Sequence, residues 1–319
     1  MEERRIVKSG NSSFIVSLPI AWIHKNKLDK GSTVLVEENE VGDLVIAKRE
    51  HENQNSISTK TLNVDGKSSD KITYEIFQNY TQSYQNIILE GNSIPIHLAK
   101  IKEVIHNCIG LEIIEQSKKN IIVKNFTTND DGLSPRILIR KMTLGIGEMF
   151  NLIGKFTKEG LSQNEINELQ ELVEQNNRIY LLARKTILRA IEHPEYIRTF
   201  QTTYHQLTKD KVIAASFYQM MFSLHSLGNV MLFIEHTKED AVHFKEMLDS
   251  LKSDYESLLS NLRYKDAASL SDLYERCLKN TIKIKYLARE TKNYFIIESS
   301  IYLSILVEFI KQISLELTE

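Results

Sequence analysis

Arg4-Arg5-Ile6-Val7-Lys8-Ser9-Gly10-Asn11-Ser12-Ser13, followed by Phe14-Ile15-Val16-Ser17-Leu18-Pro19, is the stretch whose reading decides how this 319-residue chain begins to fold. Phe14, Val16 and Leu18 alternate with residues that face the other way, the period of a half-buried strand. Pro19 then suits the first turn of a helix, where its missing N–H costs nothing. A short amphipathic stretch runs to Asn26, Gly31 marks a turn, and Val34–Val36 and Leu44–Ile46 are apolar strand runs. The order is strand, strand, short helix, strand, strand. So short a segment, with so few large apolar side chains, cannot bury enough surface alone. It is expected to interlock with a second copy of itself, so that dimerisation is part of the fold.

These residues carry a resemblance. The Gly10-Asn11-Ser12 turn, the Ser17-Leu18-Pro19 helix entry and the Leu28…Gly31…Val34-Leu35-Val36 succession resemble the AbrB/MazE/SpoVT swapped-hairpin DNA-binding domain across residues 1–50. The resemblance implies an obligate homodimer that offers the basic residues of its first strand and first turn to DNA. Arg4, Arg5 and Lys8 are then the candidates for phosphate and base-edge contacts. Asn11, Ser12 and Ser13 are the candidate hydrogen-bond donors from the turn.

Charge is consistent with binding at one end. The chain as a whole has a formal net charge of -2, which excludes a protein that coats nucleic acid along its length. Residues 1–30 instead hold Arg4, Arg5, Lys8, Lys25, Lys27 and Lys30 against Glu2, Glu3 and Asp29, a local excess that a dimer doubles. Met1-Glu2-Glu3 lacks the basic-then-apolar start of a secretory signal, and no run is apolar and long enough to span a bilayer. The cytoplasm is the expected compartment, without membrane insertion. Cys108 and Cys277 are too few and too isolated for a disulfide framework or zinc site and read as small buried residues.

Beyond Arg49 the composition shifts. Residues 51–60 are polar and read as a linker. Residues 61–130 alternate strands and helices: Thr61–Val64, helix Lys71–Tyr84, Asn86–Leu89, helix Pro95–Ile109, then Leu111–Ile114 and Ile121–Lys124 closing around Lys118-Lys119-Asn120. This pattern predicts a small α/β unit with helices on one face of a sheet. No Gly-rich phosphate loop joins its strands and helices, so a nucleotide cofactor is not expected.

From Ser134 the chain reads as long helices. Ile137, Leu138, Met142, Ile146, Met149, Phe150 and Ile153 recur at three- and four-residue steps, as do Ile213, Phe217, Met220, Leu224, Leu227, Met231 and Ile234. Breaks at Gly160, His193-Pro194, His236-Thr237-Lys238 and Lys265-Asp266 predict about six helices, the second and fifth longest. An internal repeat organises them. Residues Arg178–Thr186 align with Lys283–Thr291, identical at the Ile, Leu, Ala, Arg and Thr positions, and Phe150 and Tyr255 fall at the same offset upstream. Two tandem three-helix bundles, 134–236 and 238–319, follow. The expected fold class is multidomain α+β: a swapped-hairpin β domain, a small α/β unit and all-α tandem bundles.

The helical half resembles the PhoU family of phosphate-uptake regulators, and its joining to a swapped-hairpin domain resembles archaeal regulators of that family. The resemblance implies a homodimeric transcriptional regulator of phosphate uptake, with phosphate transporter or signalling proteins as further partners. PhoU bundles hold metal ions on Glu/Asp-x-x-x-Asp clusters, often followed by Arg. Here Val173 and Asn177 precede Arg178, Leu278 and Ile282 precede Lys283, and His225-Ser226-Leu227-Gly228-Asn229 stands in the third-helix motif. Hard cations need several anionic oxygens, so no metal site is carried over. Glu171 and Glu174 read as solvated, or paired with Arg178 across a helical turn. The nine histidines are scattered and no nucleophile or paired-carboxylate context occurs, so no enzyme is expected. Two other readings stay open: an adaptor that uses the first domain only to dimerise, and an antitoxin-like role.

Overall fold

The structure, a computed structural model, describes residues 3–10, 13–38, 42, 44–48, 58–127, 133–155, 161–193, 195–233, 237–264 and 266–318. They form two compact units, residues 1–57 and 58–319, and the architecture is mixed α+β.

In the first unit β1 (Val7–Ser9) pairs antiparallel with β2 (Ser13–Ile15), α1 (Ile20–Lys25) follows, and β3 (Val34–Glu38) pairs antiparallel with β4 (Leu44–Lys48). The second strand is shorter than its alternation predicts, and Phe14 and Val16 are exposed rather than half-buried. Pro19 sits at the N-cap and not in the first turn: its φ is -59° but its ψ of 129° is extended, and its carbonyl accepts from Trp22 and Ile23. Past Lys27, at a left-handed φ of 52°, the Leu28 amide closes back on Ile23.

The second unit opens on a four-stranded sheet ordered β5-β6-β8-β7, with β5 (Thr59–Asn63) parallel to β6 (Asn86–Glu90) and the other pairings antiparallel. The strands β7 (Leu111–Gln116) and β8 (Asn120–Asn125) are joined by the polar turn expected at Lys118-Lys119-Asn120, where the Ser117 amide donates to the Asn120 carbonyl. Helices α2 (Ser69–Thr81) and α3 (Ile94–Asn107) pack their Ile72, Ile76, Tyr80, Ile101, Val104 and Ile105 against Leu62, Ile87, Leu89, Leu111, Ile121 and Val123. Both helices therefore cover one face. Helix α2 stops before the predicted Tyr84, because Ser83 takes a left-handed φ of 61° that a helix cannot continue.

Among the described residues seven helices follow: α4 (Pro135–Ile153), α5 (Gln163–Glu192), the short α6 (Glu195–Thr199), α7 (Tyr204–Phe233), α8 (Lys238–Tyr264), α9 (Ala267–Glu290) and α10 (Tyr294–Thr318). Leaving the short α6 aside, the second and third of these, α5 and α7, are the longest at 30 residues each; the fifth, α9, has 24. It ends at Glu290, and Asn293 caps the next helix, its Oδ1 accepting from the Phe295 amide at 2.8 Å to start α10. Helices α4, α5 and α7 pack on one another, as do α8, α9 and α10, and α7 lies along α10. One hydrophobic cluster runs through both groups. The two residues that mark the repeat meet there: the Phe150 and Tyr255 rings lie 5.1 Å apart, and the Tyr255 hydroxyl donates to the Thr143 carbonyl. The α/β layer docks on α5 through Leu181 and Lys185, whose Nζ donates to Asn125 Oδ1 at 3.1 Å and lies over the Tyr80 ring.

Candidate nucleic-acid interface

The candidate surface is the β1–β2 hairpin and the residues ahead of it. Gly10 begins its turn at φ +69°, a conformation that favours residues without a Cβ. Ser13 closes the turn, its hydroxyl donating to the Ser9 carbonyl at 2.6 Å. Ser13 is therefore engaged in holding the hairpin, although it stays exposed. Lys8 pairs opposite Phe14, which sets both side chains on one face, and Val7 opposite Ile15 sets those on the other.

Arg4, Arg5 and Lys8 are all exposed. Arg4 is held to the hairpin by a hydrogen bond from its Nη1 to Ser17 Oγ at 3.3 Å. The structure thus brings Arg4, Lys8 and Ser13 onto one hairpin with Arg5 beside them, while Asn11 and Ser12 lie outside the described residues. Ser17 is the residue missed in the sequence: an extended hairpin register places it beside the start of the chain, but its neighbours mark it only as part of a helix entry. Lys25, Lys27 and Lys30, on α1 and its exit, add exposed positive charge to the same unit.

The unit has almost no interior. Leu28 is the one buried large hydrophobic residue among its described positions. Ile6, Val7, Phe14, Ile15, Val16, Ile20, Leu35, Val36, Leu44 and Val45 are between 44% and 71% exposed. Both faces of the β1–β2 hairpin carry uncovered apolar side chains, an arrangement that a lone soluble monomer disfavours.

In the helical half Val173 is buried, Asn177 and His225 are half-buried, and Leu278 and Ile282 are exposed. Burial pushes the His225 imidazole below its ordinary pKa. Glu171 and Glu174 are exposed, and Glu174 accepts from Gln170 rather than from Arg178. Among the described residues no group of three or more His, Cys, Asp or Glu side chains is placed to hold a metal ion. Cys108 and Cys277 are unpaired and buried, and burial pushes both thiols up to about 12.

No curated protein and no solved structure matches the chain. Residues 7–54 match the family model described as antidote-toxin recognition MazE, bacterial antitoxin. That match lies within the first compact unit and contains the hairpin described above. The N-terminal unit is therefore an AbrB/MazE-like domain, which points to a DNA-binding regulatory role.

Proposed function

We propose that the chain is a homodimeric, cytoplasmic DNA-binding transcriptional regulator whose first unit contacts DNA and whose helical half senses a signal or docks a partner. The observation that carries the reading is the basic, exposed β1–β2 hairpin in a MazE-like unit that leaves its apolar side chains uncovered. Covering one such side chain contributes about 1.5–3 kcal/mol, and a second copy supplies the matching strips by symmetry. A two-stranded ribbon fits the major groove. Arg4, Arg5 and Lys8 then neutralise phosphates. We assign the chain no catalytic step, and among the described residues no helix is long and apolar enough to cross a membrane.

Within this reading the helical half belongs to phosphate-uptake control, as its PhoU resemblance implies; the two groups of three helices related by the repeat are the arrangement that resemblance leads one to expect. An adaptor without DNA binding is the second reading, favoured by the exposed stripe Leu278, Ile282 and Tyr286 at four-residue steps along α9. A salt series on DNA from the chain's own upstream region separates the two. Changing Arg4, Arg5 and Lys8 together to Ala should weaken binding and reduce the log–log salt slope by about 0.9 for each phosphate that is no longer neutralised. An unchanged slope would move the DNA-binding surface elsewhere and favour the adaptor.

A further inference from the structure

A cavity of about 220 Å³ opens in the second unit between α3, the start of β7 and α5. Its inner wall is apolar, made by the buried Ile105, Cys108 and Leu111. Apart from Gly110 and Ile113, its remaining lining is polar. Lys102 and His106, one turn apart on α3, stand on the same helix face, and Arg178 reaches in from α5. Glu112 is the one carboxylate among the lining residues, so cationic groups outnumber it. The Cys108 thiol, pushed up to about 12 by burial, stays protonated at neutral pH and adds no negative charge.

Arg178 supplies the second, independent observation. Its Nε is shielded from solvent and has no hydrogen-bond partner among the described residues. Folded proteins satisfy nearly all such donors, so Arg178 keeps hydrogen-bonding capacity that the described residues do not use. The guanidinium fork matches the two oxygens of a carboxylate or phosphate. The volume corresponds to about seven waters at ~30 Å³ each and falls below the ~300–1,000 Å³ typical of drug-sized ligands.

We propose that this cavity is a binding site for a small oxyanion, carboxylate- or phosphate-bearing, held by Arg178 together with Lys102 and His106. Bound there, the anion bridges α3 of the α/β layer to the long helix α5 and ties the two layers together. The site is independent of the DNA-binding reading, and its test uses no DNA. Purified full-length protein is titrated with inorganic phosphate and, separately, with malonate, at an ionic strength held constant with chloride, by calorimetry and thermal melting.

The expected result is a saturable rise in melting temperature with at least one of the two anions and none with chloride; the two arms distinguish phosphate from carboxylate chemistry. Arg178→Gln should weaken that binding about tenfold, the loss of one charge-assisted hydrogen bond. Because Arg178 packs between layers, the exposed pair Lys102→Ala and His106→Ala serves as a second variant that keeps the fold, and it should weaken binding several-fold. No saturable response to either anion at millimolar concentrations would overturn the site. So would affinity unchanged in the Lys102/His106 variant.

Discussion

Asp65 illustrates how a single side chain sets a local pH response. Hydrogen bonds from the Asn92 and Ser93 backbone, the Ser93 amide at 2.7 Å from Oδ1, hold its carboxyl below the ordinary aspartate range. Gly91 makes the approach feasible, since a Cβ there would lie 2.7 Å from Asp65 Oδ1. A carboxyl depressed in the folded state stabilises the fold above its unfolded pKa, and that stabilisation is lost as pH falls through the folded value. The window therefore begins at about pH 4 and extends downward. Asp65→Asn should lower the melting temperature at neutral pH and make it less sensitive to acidification below about pH 4 than in the wild type. Equal acid sensitivity of the two proteins would show that the Asp65 hydrogen bonds do not form.

At the scale of elements, α5 is positioned by residues that are small or absent at its crossings. A Cβ on Gly145 of α4 would lie 2.0 Å from Asn176 Nδ2, and one on Gly228 of α7 would lie 2.4 Å from Leu169 Cδ2. Asn176 and Leu169 are both buried on α5, so neither can swing into solvent. Gly145→Ala gains about 1 kcal/mol of helix propensity. It also forces Asn176 off its 3.0 Å hydrogen bond to the Leu172 carbonyl and overpacks the crossing, at about 1–3 kcal/mol. The net expectation is a loss of up to about 2 kcal/mol in a urea titration of the full chain. A stabilised variant would mean that α4 and α5 sit farther apart than this packing.

For the whole molecule, assembly and metal content are the measurable consequences. Light scattering on the full chain should give a dimer. The paired substitutions Val7→Asp and Ile15→Asp, opposite each other across the hairpin, should dissociate it while the helical circular dichroism of residues 58–319 persists. A wild-type monomer would remove the basis for a shared core in the first unit. Elemental analysis should find no stoichiometric metal, and a chelator should leave the melting temperature unchanged, because Val173, Asn177, His225, Asn229, Leu278 and Ile282 offer no carboxylates. Unfolding on chelation would direct attention to Glu171 and Glu174.

Periodicity and turn chemistry alone determined much of this protein: the order of elements in the first fifty residues, both helices and all four strands of the α/β layer, the end of α5 at His193 and the start of α9 at Asp266. Those features rest on local physics, namely side-chain alternation, helical spacing and residues that accept unusual dihedrals. The internal repeat was also legible, because equivalent positions in packed helices require the same residue types. Other features depend on residues distant in the chain. Ser83 ends α2 and Asn293 starts α10 through a conformation and a cap that composition does not rank, and Leu169 occupies the space that a Cβ on Gly228 would take. Only tertiary structure placed Ser17 against Arg4, joined the helix groups through Phe150 and Tyr255, and brought Arg178 to the cavity beside Lys102 and His106. Juxtapositions of that kind are selected by packing across tens of residues, where no local periodicity carries the information.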